Sequence, residues 1–436
     1  MLGLGLFGPS VWIDSPTKAQ PLDVDGGRVE LGLVLRQLGS TGTFMMATAH
    51  PDDENNALLA LLAKGQGHRT VLVTATRGDG GQNEIGTELF DGLAVLRTEE
   101  LLAAHRLDGA EQYFTRAVDF GYSFSIEETF DKWGRDEILG DFVRMIRTLR
   151  PDVITGMSPE GSGGGQHHQA SAVLAHEAYH AAADPSRFPE QITEGLRPWQ
   201  TKKFYFTAGF PFGFGGSRPG GANRFRRPPE STDGGRTTVD LGVYDPLLGR
   251  TYSEIGSHAR SMHKCQGMSQ LIALPGPAAA RYRLKETTIP NQAEVEESSL
   301  FDGIDTSIEG LIQYAGVRAN RDLAIGLAAV TRHARDALSS FETDRMAGVR
   351  VSVLSGLAAV RNLRAAIGSL DLLEDARWEV DFRLAAKERQ FERAVVLAHR
   401  LRLEAFADDG LVTPDQPITV SALVANSGDA DVVVRQ

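Results

Sequence analysis

The apolar run Phe44-Met45-Met46-Ala47-Thr48-Ala49 ends directly on His50-Pro51-Asp52-Asp53-Glu54, which packs one imidazole and three carboxylates into five residues. An unbroken apolar run reads as a strand buried on both faces, and such strands belong to parallel sheets covered by helices. Charge gathered where a buried strand ends needs a partner, and a divalent metal ion supplies one most simply. Pro51 stiffens the turn that sets His50 and Asp53 three positions apart, so both side chains can face one point. A helix beginning near Asp53 and running to Lys64 would set its partial positive end beside the carboxylates and keep them ionised. Asp52, between the two candidate ligands, is the natural base for water activated by the ion. An acidic helix N-terminus with a proline is the bland alternative, and it leaves the histidine unexplained.

A third ligand is available far downstream in Gly161-Ser162-Gly163-Gly164-Gly165-Gln166-His167-His168-Gln169. This segment follows a second apolar strand, 152–157, and precedes a helical stretch, 170–183. In open α/β sheets, sites form outside the carboxyl ends of strands, so two such loops can meet across a large sequence separation. His50, Asp53 and His168 would then make a three-ligand site with an open position, as in catalytic zinc centres. Taken alone, paired histidines after glycines also describe an ordinary polar loop.

Together with Thr76-Arg77-Gly78-Asp79-Gly80-Gly81 and Arg97-Thr98-Glu99-Glu100, these motifs resemble the PIG-L (LmbE-like) deacetylases over roughly residues 28–270. The resemblance implies a Rossmann-like, mostly parallel sheet flanked by helices and a zinc-dependent N-deacetylase of N-acetylglucosamine conjugates, with another divalent metal as an option. It implies His50, Asp53 and His168 as metal ligands, Asp52 as general base and Arg97 as a substrate-site residue. His263-Lys264-Cys265-Gln266 is similar to a late His-x-Ser/Thr-Gln segment of the family, with cysteine in place of the hydroxyl. Many members carry a further histidine three positions before the last ligand, where this chain has Gly165. His167 or Arg97 is expected to take over that catalytic role, or activity is weaker and the chain is a carbohydrate-binding homologue.

Other motifs compete less well. His176-Glu177-Ala178-Tyr179-His180 fits the His-Glu-x-x-His pattern of zinc metalloproteases. It lacks a His-x-x-Gly-x-x-His continuation, and it is soon followed by Asp184-Pro185, so His176 and His180 read as helix-surface residues. Gly78, Gly80 and Gly81 suggest a phosphate-binding turn, but Asp79 and Glu84 would repel a pyrophosphate. No Gly-x-Ser-x-Gly elbow supports a serine hydrolase.

The net charge of −12 and the lack of a basic stripe argue against nucleic acid or an anionic membrane as partner. A glycoconjugate is easier to accommodate, and no stretch is long and apolar enough to span a bilayer. Cys265 is the only cysteine, which excludes intramolecular disulfides. Residues 1–27 read as a signal peptide or a disordered tail, and export is the expected destination. Alternating strand and helix signals place an α/β domain at 28–290, opening with a lead-in helix at 28–39. Within it, the Gly, Pro and Arg-rich stretch 210–236 reads as a long loop whose Phe212, Phe214 and Phe225 are candidates for stacking on a sugar. His258, Arg260 and His263 fall on a later predicted helix. Apolar spacings of three and four predict a helical bundle over 291–404. Period-two alternation from about 405 to 436 predicts the first strands of an immunoglobulin-like module.

Overall fold

The computed structural model describes residues 26–160, 165–208, 236–268, 273–318 and 321–433. Residues 1–25 of the leader or tail expected at 1–27, and the aromatics Phe212, Phe214 and Phe225, lie outside these residues.

Five strands run parallel: β1 (Thr43–Thr48), β2 (Arg69–Thr74), β3 (Glu111–Phe114), β4 (Val153–Gly156) and β5 (Lys203–Thr207). They are followed by β6 (Arg236–Asp240), the short ladder of β7 (Tyr244–Asp245) with β8 (Arg250–Thr251), and β9 (Ala279–Thr287). The main sheet has the order β3-β2-β1-β4-β5-β9-β6, and β9 is antiparallel to both its neighbours. Every residue of β1 is buried, as its unbroken apolar character demands. Strand order reverses between β1 and β4, which pair in register from Phe44 opposite Val153 to Ala47 opposite Gly156. The two loops leaving them therefore emerge side by side at the sheet edge where α/β folds place their sites.

Helices cover the sheet: α1 (Arg28–Leu38), α2 (Asn56–Ala60), α3 (Asp91–Asp108), α4 (Ile126–Trp133), α5 (Arg135–Leu149), α6 (His167–Ala181), α7 (Pro189–Thr193) and α8 (Tyr252–Arg260). The helix expected from Asp53 starts three residues later, where the Asn55 side chain accepts the Leu58 N–H, and its last turn widens to a π-turn at Leu61–Gly65. Asp53 is withheld from the helix because its carboxylate bends back onto the His50 backbone N–H at 2.7 Å.

Three long helices follow, α9 (Arg321–Glu342), α10 (Met346–Ile367) and α11 (Glu374–Ala398). Their apolar faces share one core with Leu31, Leu35 and Leu38, so the lead-in helix α1 packs with the bundle and not with the sheet domain alone. A buried polar seam also joins bundle and sheet. Arg383 donates to Glu379 at 2.7 Å and to Asp152 at 3.1 Å, and Arg150 donates to Glu379 at 2.5 Å. Asp152 immediately precedes β4, so the seam anchors a strand that leads to the histidine loop. The chain then forms a hairpin of β10 (Leu401–Ala407) and β11 (Val420–Asn426), which starts before position 405 and exposes Leu403 and Val424.

Candidate metal centre

Three donor atoms from the two loops converge. Nδ1 of His50 lies 3.3 Å from Asp53 Oδ2 and 3.2 Å from His168 Nε2, and His168 Nε2 lies 3.2 Å from Asp53 Oδ1. A tetrahedral ion with bonds of about 2.0 Å holds its ligand atoms about 3.3 Å apart. The two imidazole nitrogens thus stand at the spacing that one zinc-sized ion demands, each has one oxygen of the Asp53 carboxylate at that distance, and the side chains are 12%, 7% and 19% exposed, so the cluster reaches solvent. Burial pushes the Asp53 carboxyl up, but His168 and His50 outweigh it and hold the group well below the usual range, in its ligating form.

His168 sits in the first turn of α6, not in the preceding loop, and the Ser171 hydroxyl ties that turn to the Thr48 carbonyl at 2.9 Å. This bond draws the helix start over the end of β1.

Asp52 is the residue under strain. Its φ of 101° is a left-handed conformation that non-glycine residues rarely adopt. Three partners hold it there. Arg97 donates to the Pro51 carbonyl at 2.6 Å, Arg260 donates to the Asp52 carbonyl at 2.9 Å, and the Asp52 N–H donates to Glu54 at 2.9 Å. Burial, reinforced by the neighbouring charge of Asp53, pushes the Asp52 carboxyl up to about 6.

Glu54 anchors a polar chain beneath the loop. It accepts from His263 at 2.7 Å and from Asn56 at 3.0 Å; Asn56 continues to Asp108, which pairs with His105. Burial raises Glu54, but the His263 contact overrides it and sets the carboxyl at about 2. His263 is fully buried in the turn beyond α8, not on the helix where its spacing had suggested.

Two expected catalytic groups are buried beside the cluster. Arg97 is 2% exposed and clamps the Pro51 carbonyl at 2.6 Å and the Gly78 carbonyl at 3.2 Å, with Nη2 also 3.4 Å from Asp52 Oδ1, so it braces the loop that carries Asp52. The glycines at 78 and 81 make room for it, since a Cβ at either would lie 2.2 Å from its Nη1. They are a packing requirement and not a phosphate turn. His167 is 1% exposed, wedged beside Phe120 and Trp133, with Nδ1 2.9 Å from His50 Nε2. It meets the ring nitrogen of His50 opposite the one that faces Asp53 and His168.

Asp119, which the sequence reading missed, lies 3.8 Å from His50 Nε2 and 3.6 Å from His167 Nδ1. His50, Asp119 and His167 form a second possible donor set, but its spacings of 2.9 to 3.8 Å are less regular. The pair is better suited to orienting His50 through its distal nitrogen, the arrangement that fixes tautomer and ring in metal sites. Asp119 follows β3, a third parallel strand ending at the same sheet edge, and that position was the signal available. In the rival motif, Glu177 pairs with Arg135 at 2.5 Å and Arg187 at 3.3 Å, which removes it as a base for the flanking histidines.

Residues 45–179 match the PIG-L family, described as GlcNAc-PI de-N-acetylase, so the chain carries a PIG-L domain. It is 31% identical over 180 residues to a 1D-myo-inositol 2-acetamido-2-deoxy-alpha-D-glucopyranoside deacetylase of Streptomyces avermitilis, covering 37% of this chain and 60% of that protein. Identity to a mycothiol S-conjugate amidase of Streptomyces coelicolor is 28% over 185 residues, covering 38% of this chain and 60% of the relative. The chain thus spans about 60% of the length of these relatives. A solved N,N'-diacetylchitobiose deacetylase from Pyrococcus horikoshii aligns at 19% identity with a TM-score of 0.32, over 38% of this chain and 60% of that one. No helix among the described residues is long and apolar enough to cross a membrane.

Proposed function

We propose that this chain is a zinc-dependent N-deacetylase of N-acetylglucosamine conjugates, with His50, Asp53 and His168 as ligands and Asp52 as general base. The observation that carries the reading is the convergence of two imidazole nitrogens, 3.2 Å apart, with the two oxygens of one carboxylate at 3.2–3.3 Å from them, brought together from two distant loops. The PIG-L domain and the deacetylase and amidase names of its relatives supply the substrate class.

A zinc ion held by these residues supplies Lewis-acid polarisation of the acetamide carbonyl and acidifies water to a pKa of about 7. Asp52 takes the proton of the attacking water on its carboxylate, for which a value of about 6 is well placed near neutral pH. The same carboxyl then returns the proton to the departing nitrogen as the C–N bond breaks, leaving acetate and a free amine. His167 and Asp119 hold the His50 ring in place. Tyr122 and Phe124, 65% and 81% exposed on the loop beside Gly165, offer an apolar surface for the sugar ring.

A second reading, a carbohydrate-binding homologue with little turnover, is favoured by glycine at 165, where the resemblance leads to the expectation of a histidine, and by the burial of His167 and Arg97. The test is to measure bound zinc and acetate release on a panel of N-acetylglucosaminyl conjugates, including the inositol glycoside and chitobiose. Hydrolysis that Asp52→Asn abolishes while zinc stays bound supports the enzyme. Stoichiometric zinc and glycan binding with no acetate across the panel supports the binder.

A further inference from the structure

We propose that His176, His180 and Glu286 form a second site for a divalent transition-metal ion, separate from the centre at His50. The two histidines lie one helical turn apart on α6, and Glu286 reaches them from β9, where it pairs in register with Phe204 of β5. Glu286 Oε1 lies 3.0 Å from His176 Nε2 and 3.6 Å from His180 Nε2. These distances bracket the edge of about 3.3 Å set by a tetrahedral ion with nitrogen and oxygen ligands. Imidazole and carboxylate donors select Zn2+, Ni2+ or Cu2+ over Mg2+ or Ca2+.

The surroundings suit ligation. The His176 ring packs against Phe204 and Phe206, with centroids 5.1 and 5.6 Å away, which fixes its orientation. His180 is 58% exposed, which leaves an approach from solvent. The histidine-rich helix motif therefore finds its third ligand on a neighbouring strand, not in its own Glu177, which Arg135 and Arg187 occupy.

The consequence is mechanical. An ion here would staple α6 to the antiparallel part of the sheet, about 12 Å along the helix from His168. It would stiffen the helix whose first turn carries the ligand of the inner centre.

The experiment uses untagged full-length chain, stripped with a chelator and titrated with Zn2+ by calorimetry, with metal content checked by mass spectrometry. Wild type should bind two equivalents, His180→Ala one and Asp53→Ala one. Because His180 is largely exposed, its removal should leave the circular dichroism spectrum unchanged. Zn2+ should raise the melting temperature of Asp53→Ala but not of the Asp53→Ala/His180→Ala double variant. Glu286→Gln should weaken the same equivalent by at least about tenfold, the loss that removing even a partner outside the ligand set brings. If His180→Ala binds as many equivalents as wild type, the outer site does not exist. If Asp53→Ala retains every wild-type equivalent while His180→Ala loses one, the inner assignment fails and the outer one stands.

Discussion

The two loops that meet at the inner centre each pass through a left-handed residue shortly before a ligand, and they accommodate it in opposite ways. Asp52, with φ 101°, precedes Asp53; Gly165, with φ 86°, lies three residues before His168. Glycine takes that backbone freely, whereas a residue with a Cβ stores about 1–3 kcal/mol. At Asp52 the strain is held by two arginines on successive carbonyls and by Glu54 beneath the N–H. At Gly165 there is nothing to hold. Strain is kept at the residue proposed as the base and avoided where the position carries no side chain.

The largest effect should come from removing the Asp52 side chain. Both Asp52→Ala and Asp52→Gly are expected to lower kcat by about 10²–10⁴-fold, the usual contribution of a positioned base. They should part company in stability, because only glycine also relieves the backbone. Asp52→Gly should be about 1 kcal/mol more stable than Asp52→Ala by urea denaturation, the relief exceeding the entropy cost of glycine. Equal midpoints would mean that position 52 carries no strain, and the contrast between the loops would fall.

Next in size is the clamp. Arg97→Met strands the Pro51 and Gly78 carbonyls, and each buried acceptor left unpaired costs about 1–3 kcal/mol. Stability and kcat should fall together, with KM little changed, because Arg97 braces the loop. A substitution that raised KM and left the urea midpoint alone would restore Arg97 to the substrate side, where family resemblance had put it.

How far the site could be read from the chain follows from what each residue depends on. The candidate ligands His50 and Asp53 were legible because an apolar run stopping on mixed charge is a local pattern, and His168 because a second apolar strand leads into a loop that ends on paired histidines. The parallel order of strands followed from their alternation with helices. Asp119 was hidden because its link to His50 is purely spatial, from a strand whose own loop shows no charge knot. Arg97 and His167 carry residue types that suit catalysis, and their burial and their contacts with Pro51, Gly78 and His50 are spatial facts that no local pattern announces. The left-handed turn at Asp52 has no sequence signature, since glycine is the residue that normally announces one. Likewise, the three-residue delay of α2 depends on Asp53 bonding back to His50, a choice that helix propensity cannot report.

His167→Ala probes the other side of the centre. If the ring orients His50 through its distal nitrogen, zinc affinity should fall about 10–100-fold, as for outer-shell partners of metal-bound histidines. Competition against a chelator of known affinity measures this directly. A loss of kcat at unchanged affinity would instead place His167 among the groups that meet the substrate.

Gly165→Ala should have the smallest effect. A Cβ there is disfavoured by the left-handed backbone, at about 1–2 kcal/mol, and would stand 3.2 Å from Ser123 N and 3.3 Å from Ser123 O. That carbonyl already accepts the Gln166 N–H at 3.2 Å, so the wall cannot retreat without loosening the start of α6. The urea midpoint should drop modestly, with zinc binding and kcat close to wild type. Gly165→His sharpens the point, because it places a histidine where the family resemblance leads to the expectation of one. If the left-handed backbone is what directs this position, the new imidazole will destabilise the loop and leave hydrolysis unimproved. A gain in kcat would show that the loop tolerates a side chain there, and that glycine at 165 reflects a different catalytic arrangement instead of a conformational demand.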